Sequence, residues 1–342
     1  MTTVSDIGER ALIARIKERV PQLPEWVAVG IGDDAAVLEP ERNALQVVTT
    51  DALVEGVHFD RGFMPPAAIG HRALAANFSD VAAMGARPRA ALLSLALPDA
   101  LPLVDFDEMI AALLALAATS RVPLVGGNIA RSPGPLVVDI TVLGTAQRRR
   151  LLRRDGARPG DVVFVSGEVG AASAGLAWCR ARGFDACRAV TPSERGEVER
   201  LAARFLYPEA RLRLGWLLAR NRAATACMDL SDGLADAVQQ VARASGVGAK
   251  IRAGDIPVPA AAAPWLEREG RDTVTAAITG GEDYELLFTV PGRRRRLIDA
   301  LRRGLSGVPL TAIGVITRGP EVVLTREGRP DEAMPQGYSH FR

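Results

Sequence analysis

The chain has 342 residues, of which 48% are hydrophobic and 24% charged, with a formal net charge of +2 at pH 7. That length leaves room for two domains with cores of their own, and the near-neutral balance excludes a nucleic-acid binder that works by bulk positive charge. Three cysteines, Cys179, Cys187 and Cys227, form no CxxC pair, which excludes a disulfide framework and a cysteine zinc site and fits a reducing compartment.

The first stretch, MTTVSDIGERALIARIKERV, places Asp6 and Glu9 at capping-box spacing and Ile7, Ile13, Ile16 and Val20 at partly helical spacing. An amphipathic helix is predicted, and its charges interrupt the apolar core that a signal peptide needs. GIGDDAAVLEP (30–40) follows, with Asp33 and Asp34 side by side in a glycine-framed turn. LQVVTT (45–50), ALLSLALP (91–98) and LVVDITVLG (136–144) are predicted strands. Pro66 to Met84 is a predicted helix that stops at Gly85, and Asp105 to Ser120 another. The longest apolar run, Met109 to Ala118, is too short to span a bilayer, so a cytoplasmic protein with no membrane partner is expected.

RRDGARPGD (153–161) breaks the pattern with Gly, Pro and charge, and a domain junction is expected between 145 and 160, giving domains 1–150 and 151–342. VVFVSG (162–167) then opens a new strand. Helices are expected near 171–182, 194–219 and 231–245, with a helix start at 260–263 after Pro259. TVTAAIT (273–279), ELLFTV (285–290) and TAIGVI (311–316) read as strands. The fold class is α/β (α+β), with mixed sheets and packed helices in each of two domains.

Acidic residues recur in stretches read as glycine- or serine-marked turns: Asp33 and Asp34, Asp51, Asp80, Asp229 and Asp232, and Glu282 with Asp283. One such residue is ordinary turn chemistry. Five clusters brought together would repel one another and call for cations. Oxygen ligands without His or Cys favour Mg²⁺ over Zn²⁺, and Mg²⁺ on scattered carboxylates acts on phosphates. No GxxxxGK[ST] is present, so a P-loop is excluded. SGEVGAASAG (166–175) and VGGN (125–128) are the glycine turns that could offer backbone N–H groups to phosphate, with Arg153 and Arg154 as cationic complement. A carboxylate-rich Ca²⁺ binder is the less favoured alternative, because EF-hand spacing is absent. Arg293 to Arg296 read as a solvated face, and Trp26, Trp178, Trp216 and Trp265 as packing residues.

GIGDDAAVL, TTDALVEGVHF, NFSDVAAMGARP, DLSDGL, GGEDYELLF and a closing GYSHF stand in this order along the chain. As a set, from about residue 6 to 341, they resemble the thiamine-monophosphate kinases, of the superfamily that includes aminoimidazole ribonucleotide synthetase. The resemblance implies a two-domain architecture like that synthetase's. Its first domain would bind ATP and Mg²⁺ and form a homodimer; its second would complete the nucleotide and substrate site. It also implies direct in-line phosphorylation of thiamine monophosphate to thiamine diphosphate, the last step of thiamine diphosphate biosynthesis. ATP is the co-substrate, several Mg²⁺ ions take part, and no side chain acts as a catalytic acid or base. By the same resemblance Asp34, Thr49, Thr50, Asp51, Asp80, Asn128, Asp229 and Asp232 match metal positions. Gly127, Asn128, Arg154 and Ser231 match ATP positions, and His58, Glu282 and Tyr338 match those that hold the thiamine end. Asp33 is assigned to shaping its turn. A carboxylate and an aromatic face both favour the cationic thiazolium.

One departure stands out. The family usually has GGD, and this chain has GGN at Gly126 to Asn128. Asn keeps a carbonyl oxygen for Mg²⁺ and loses a full negative charge. The alternative it supports is a non-catalytic or differently specific ATP-binding member of the superfamily. A selenophosphate synthetase is disfavoured because the first cysteine is Cys179, and a hydrogenase-maturation dehydratase because the chain ends in SHFR.

Overall fold

A computed structural model describes residues 2–194, 196–267, 270, 272–305 and 307–338. Of the closing GYSHF motif, Gly337 and Tyr338 are described, and residues 339–341 lie outside the described residues. The chain separates into two compact units, one of Met1–Val81, Arg87–Gln147 and Arg182–Ala189, the other of Ala82–Ala86, Arg148–Ala181 and Val190–Arg342. No helix among the described residues is long and apolar enough to cross a membrane.

The first unit begins with helices α1 (Val4–Ile7) and α2 (Glu9–Arg19) and a small hairpin, β1 (Val27–Val29) with β2 (Val37–Leu38). The capping box is one turn earlier than the sequence suggests: Asp6 takes hydrogen bonds from Thr3, and Gly8 opens α2. Then come β3 (Leu45–Val54), α3 (Pro66–Ala83), β4 (Arg87–Pro98), α4 (Leu103–Thr119), β5 (Leu124–Ser132) and β6 (Val137–Ala146). The four long strands form one sheet in the order β3-β6-β4-β5, antiparallel except for β4 with β5.

Strand β6 shows why this sheet has two unlike faces. Val138, Ile140, Val142, Gly144 and Ala146 are buried, while Asp139, Thr141 and Leu143 between them are half-exposed. The buried face lies under α3: a Cβ on Gly144 would stand 3.5 Å from Val81 of that helix. Helix α3 in turn packs on α4 at Gly70, where a Cβ would meet the Met109 carbonyl oxygen at 2.0 Å. On the other face Leu92 and Leu143 pack with Leu23, Trp26, Ala36 and Leu38, while at the β3 edge that face is open and Val48 is 60% exposed.

In the second unit the strands are β7 (Val162–Ser166), β8 (Ala226–Asp229), β9 (Gly248–Arg252), β10 (Leu286–Val290), β11 (Leu310–Thr317), β12 (Val322–Thr325) and β13 (Glu332–Ala333). They order as β13-β12-β9-β11-β7-β10-β8, antiparallel except β12 with β9. The helices are α5 (Ala171–Ala189, of which Arg182–Ala189 belongs to the first unit), α6 (Glu197–Leu206), α7 (Leu212–Arg220), α8 (Leu234–Ser245), α9 (Ala263–Leu266), α10 (Thr273–Thr279) and α11 (Arg295–Arg302). Val163 and Val165 join one apolar cluster with Leu234 and Val238 of α8, and Phe164 joins another with Ile298 and Leu301 of α11. A sheet covered on both faces selects unbroken apolar runs, hence VVFV and LLFTV.

Two expectations are corrected and a third holds. The helix expected over 194–219 is two, α6 and α7, parted around Pro208, which cannot extend a helix. TVTAAIT is helix α10, because Asp272 caps it by accepting from Val274 N–H and Thr275 N–H, each at 3.1 Å. The helix expected near 171–182 is present: Gly183, with φ 76° and ψ −175°, is non-helical and parts it from a second helical stretch that ends at Ala189.

Candidate functional site

In the first unit, strand alternation divides the Thr49-Thr50-Asp51 run. Thr49 and Asp51 pair with Val142 and Ile140 of β6, whose side chains face α3. There Thr49 Oγ1 donates to Asp80 Oδ2 of α3 at 2.5 Å. Thr50 pairs with Thr141 and points to the open face, with Oγ1 3.0 Å from Asp139 Oδ1 and 3.0 Å from Thr141 Oγ1. Thr49, Asp51 and Asp80 therefore share a side, and the Thr50 side chain is on the other. Asp51 and Asp80 lie inside a strand and a helix, not in the turns the sequence suggested.

Asp34 is exposed in its loop, and its N–H donates to Asp33 Oδ1 at 2.9 Å. That bond ties Asp33 to the turn and leaves the Asp34 carboxylate facing solvent. His58 follows β3, and its Nδ1 accepts from Val54 N–H at 3.1 Å, which keeps the neutral ring's proton on Nε2. Gly127 and Asn128 are inside β5, so VGGN is strand and not a phosphate-binding turn. Asn128 is exposed. Gly127 is required by close approach, since a Cβ there would stand 1.8 Å from the Leu93 carbonyl oxygen. Gly127→Ala must push β4 and β5 apart, and urea unfolding should show a loss of about 1–3 kcal/mol.

In the second unit, the buried Asp229 ends β8, and Ser231 and Asp232 form the turn into α8. Gly233 holds φ +94°, and a Cβ there would meet the Gly280 carbonyl oxygen at 2.3 Å. Glu282 N–H donates to Ser231 O at 2.7 Å, and Tyr338 N–H to Asp232 O at 3.2 Å. A Cβ on Gly337 would lie 2.7 Å from Asp232 O. The DLSDGL turn, the GGEDYE segment and the Gly337-Tyr338 tail, far apart in sequence, are thus joined backbone to backbone. Arg154 reaches the same helix by a relay: its Nη1 donates to Gln240 Oε1 at 2.6 Å, and Gln240 Nε2 to Asp236 Oδ2 at 2.5 Å. Residues 232, 236 and 240 share one face of α8 or its entry.

The acidic residues of GGEDYE divide in role. Glu282 and Tyr284 adopt φ of 70° and 50°, so the backbone turns sharply around Asp283, which points inward. Asp283 takes N–H bonds from Gly170 (2.7 Å) and Ala172 (2.9 Å), capping α5. SGEVGAASAG is therefore occupied by the protein's own carboxylate and is not open to phosphate. Burial outweighs those bonds and pushes the Asp283 carboxyl up to about 7. A raised folded-state value stabilises the fold at low pH and the effect is lost as pH rises through it. Thermal midpoints should fall from about pH 4 to about pH 7, and Asp283→Asn should lack that drop.

Glu285 is fully buried and accepts from Ser166 Oγ at 2.6 Å, Arg204 Nη2 at 2.5 Å, and Arg211 Nε at 2.7 Å and Nη2 at 2.5 Å. Burial raises its carboxyl, but Arg211 and Arg204 hold it below the usual range. Sequence reading missed the buried cluster of Glu285, Arg204 and Arg211; the only cue for Glu285 was its place two residues from Asp283 in an apolar run.

Among the described residues no group of three or more His, Cys, Asp or Glu stands ready to hold a metal. The donors are oxygens in ones and twos, which suits Mg²⁺: it keeps several waters and completes its shell with phosphate oxygens.

Family models for the AIR synthase related protein match the chain, the N-terminal domain over residues 32–146 and the C-terminal domain over 158–327. The thiamine-monophosphate kinase of Escherichia coli K12 is 37% identical over 339 residues, 98% of each chain. The crystal structure of thiamine-monophosphate kinase from Stenotrophomonas maltophilia K279a is 37% identical with a TM-score of 0.79, covering 94% of this chain and 98% of that one. A structure of AaThiL complexed with AMPPCP and TMP is 32% identical with a TM-score of 0.74, covering 100% of this chain and 99% of that one.

Proposed function

The chain belongs to the thiamine-monophosphate kinase family, and from that premise we propose that it transfers the γ-phosphoryl group of ATP directly to thiamine monophosphate. A phosphate oxygen of thiamine monophosphate attacks the γ-phosphorus, the bond to the β-phosphate oxygen breaks, and ADP leaves. Such a transfer needs positioning and charge neutralisation more than acid–base help.

Asp34, Thr49, Thr50, Asp51, Asp80, Asn128, Asp229 and Asp232 are the residues that would hold Mg²⁺, the Thr50 and Asn128 side chains from the sheet face opposite to that of Thr49 and Asp51. When bound, Mg²⁺ supplies positive charge to the phosphates of both substrates. Gly127, Asn128, Arg154 and Ser231 face the nucleotide, and His58, Glu282 and Tyr338 the thiamine end. The observation that supports this best is the backbone joining of Ser231 with Glu282 and of Asp232 with Tyr338, which connects segments that the resemblance assigns to the nucleotide and to the thiamine end. The Thr49–Asp80 bond likewise joins two residues that the resemblance assigns to metal. The reading also carries domains at 1–150 and 151–342, a cytoplasmic location, and a homodimer joined through the first domain, for which exposed Val48 is a fitting contact residue.

The test is incubation with ATP, Mg²⁺ and thiamine monophosphate, with thiamine diphosphate followed by its thiochrome fluorescence. Product with equimolar ADP is expected. A folded protein that binds ATP and yields no product, as wild type or as Asn128→Asp, overturns the reading in favour of a non-catalytic or differently specific ATP binder.

A further inference from the structure

Arg154 is the one cation among the positions assigned to ATP, and helix α8 holds it at both ends. Ser245 Oγ donates to the Arg154 carbonyl oxygen at 3.0 Å and accepts from Ala157 N–H at 3.1 Å. Cys227 N–H of β8 donates to the Arg153 carbonyl oxygen at 2.9 Å. The main chain is thus fixed at the C-terminal end of α8. The guanidinium is fixed nearer the N-terminus, where Nη1 donates to Gln240 Oε1 at 2.6 Å. At 1.5 Å per residue, the side chain runs roughly 7 Å along α8 from Ser245 to Gln240, toward the turn that carries Ser231 and Asp232.

The far end of this relay is fixed as well. Arginine only donates and a carboxylate only accepts, so Gln240 must turn its oxygen to Arg154 and its Nε2 to Asp236 Oδ2, 2.5 Å away. The tail packs on Asp236: a Cβ on Gly337 would stand 2.6 Å from Asp236 Cβ, and Gln239 Nε2 holds the same tail through Pro335 O at 2.8 Å. The partner that touches the guanidinium is therefore a neutral amide, and Arg154, which is exposed, keeps its full charge for an anion. Among the described residues no carboxylate pairs with Arg154, whereas Arg153 beside it pairs with Asp155.

We propose that Gln240 and Asp236 are positioning residues for Arg154: they hold its guanidinium in one orientation, without neutralising it, for the phosphates of ATP. This rests on the reading of Arg154 as a nucleotide contact. A free arginine side chain gives up its rotamer freedom when an anion binds, and the relay removes that cost beforehand.

Isothermal titration of the full chain with ATP and Mg²⁺, without thiamine monophosphate, tests it. Gln240→Leu should weaken ATP binding about tenfold, and Asp236→Ala by less. Arg154→Leu should weaken it at least as much as Gln240→Leu does. Adding Gln240→Leu to Arg154→Leu should cost nothing more, because the two residues act as a unit. Asp236→Asn combined with Gln240→Glu exchanges acid and amide, keeps the charge count and leaves Arg154 an acceptor, so it should bind ATP within about threefold of wild type. Thermal midpoints confirm that each variant is folded. Wild-type ATP affinity in Gln240→Leu or in Arg154→Leu, a full further loss when the two are combined, or an exchanged pair as weak as Gln240→Leu overturns the proposal. Relay-dependent ATP binding in a protein that forms no thiamine diphosphate supports it and counts against the kinase reading instead.

Discussion

Asp80→Asn should lower kcat by about 10²- to 10³-fold at saturating substrates, the range found when one stabilising electrostatic contact to a reacting centre is removed. The Asp80 carboxylate already accepts from Thr49 Oγ1, and an amide oxygen can take that bond over, so the fold should survive. What is lost is one negative charge on the α3 side of β3, where Asp51 is the other carboxylate. Steady-state kinetics over a wide Mg²⁺ range give the readout, with a thermal midpoint close to wild type as control. Raised Mg²⁺ should recover only part of the rate. Unchanged kcat with intact folding would remove Asp80 from the metal set.

Glu285→Gln should cost about 3–5 kcal/mol of unfolding free energy, the usual penalty for breaking a buried ion pair by removing one partner. Glu285 has no exposed side-chain surface, and Arg211 is 9% exposed beside it. With the carboxylate gone, Arg204 and Arg211 lose their shared buried anion, Arg211 keeps only the exposed Glu209, and Ser166 loses a charged acceptor. Urea unfolding at neutral pH measures this. A companion Arg204→Met variant should cost less, because Arg211 still neutralises Glu285. Equal, small losses in both variants would mean that water compensates the cluster.

These two residues differ in how readable they were. Asp80 belongs to NFSDVAAMGARP, and its motif named it before any fold was known. Glu285 sits in the equally distinctive GGEDYELLF, yet its partners Arg204 and Arg211 lie in α6 and just ahead of α7, about eighty and seventy residues away in a stretch with no motif. Local patterns report local structure. A buried ion pair between distant segments leaves no spacing to read, only a charged residue in an apolar run.

The sequence by itself determined the family, the alternation of strands and helices, and the identity of most candidate ligands, because ordered motifs and hydrophobic periodicity are written in neighbouring residues. It also showed that Asn128 breaks the expected pattern. Only the tertiary structure decided which side of the sheet each ligand takes. It parted Thr50 from Thr49 and Asp51, gave the α5 N-terminus to Asp283, and put Asn128 on the sheet face of Thr50. The reason is register: a strand's period of two sets which residues share a face, but which residues of another strand they meet depends on pairing across the whole chain.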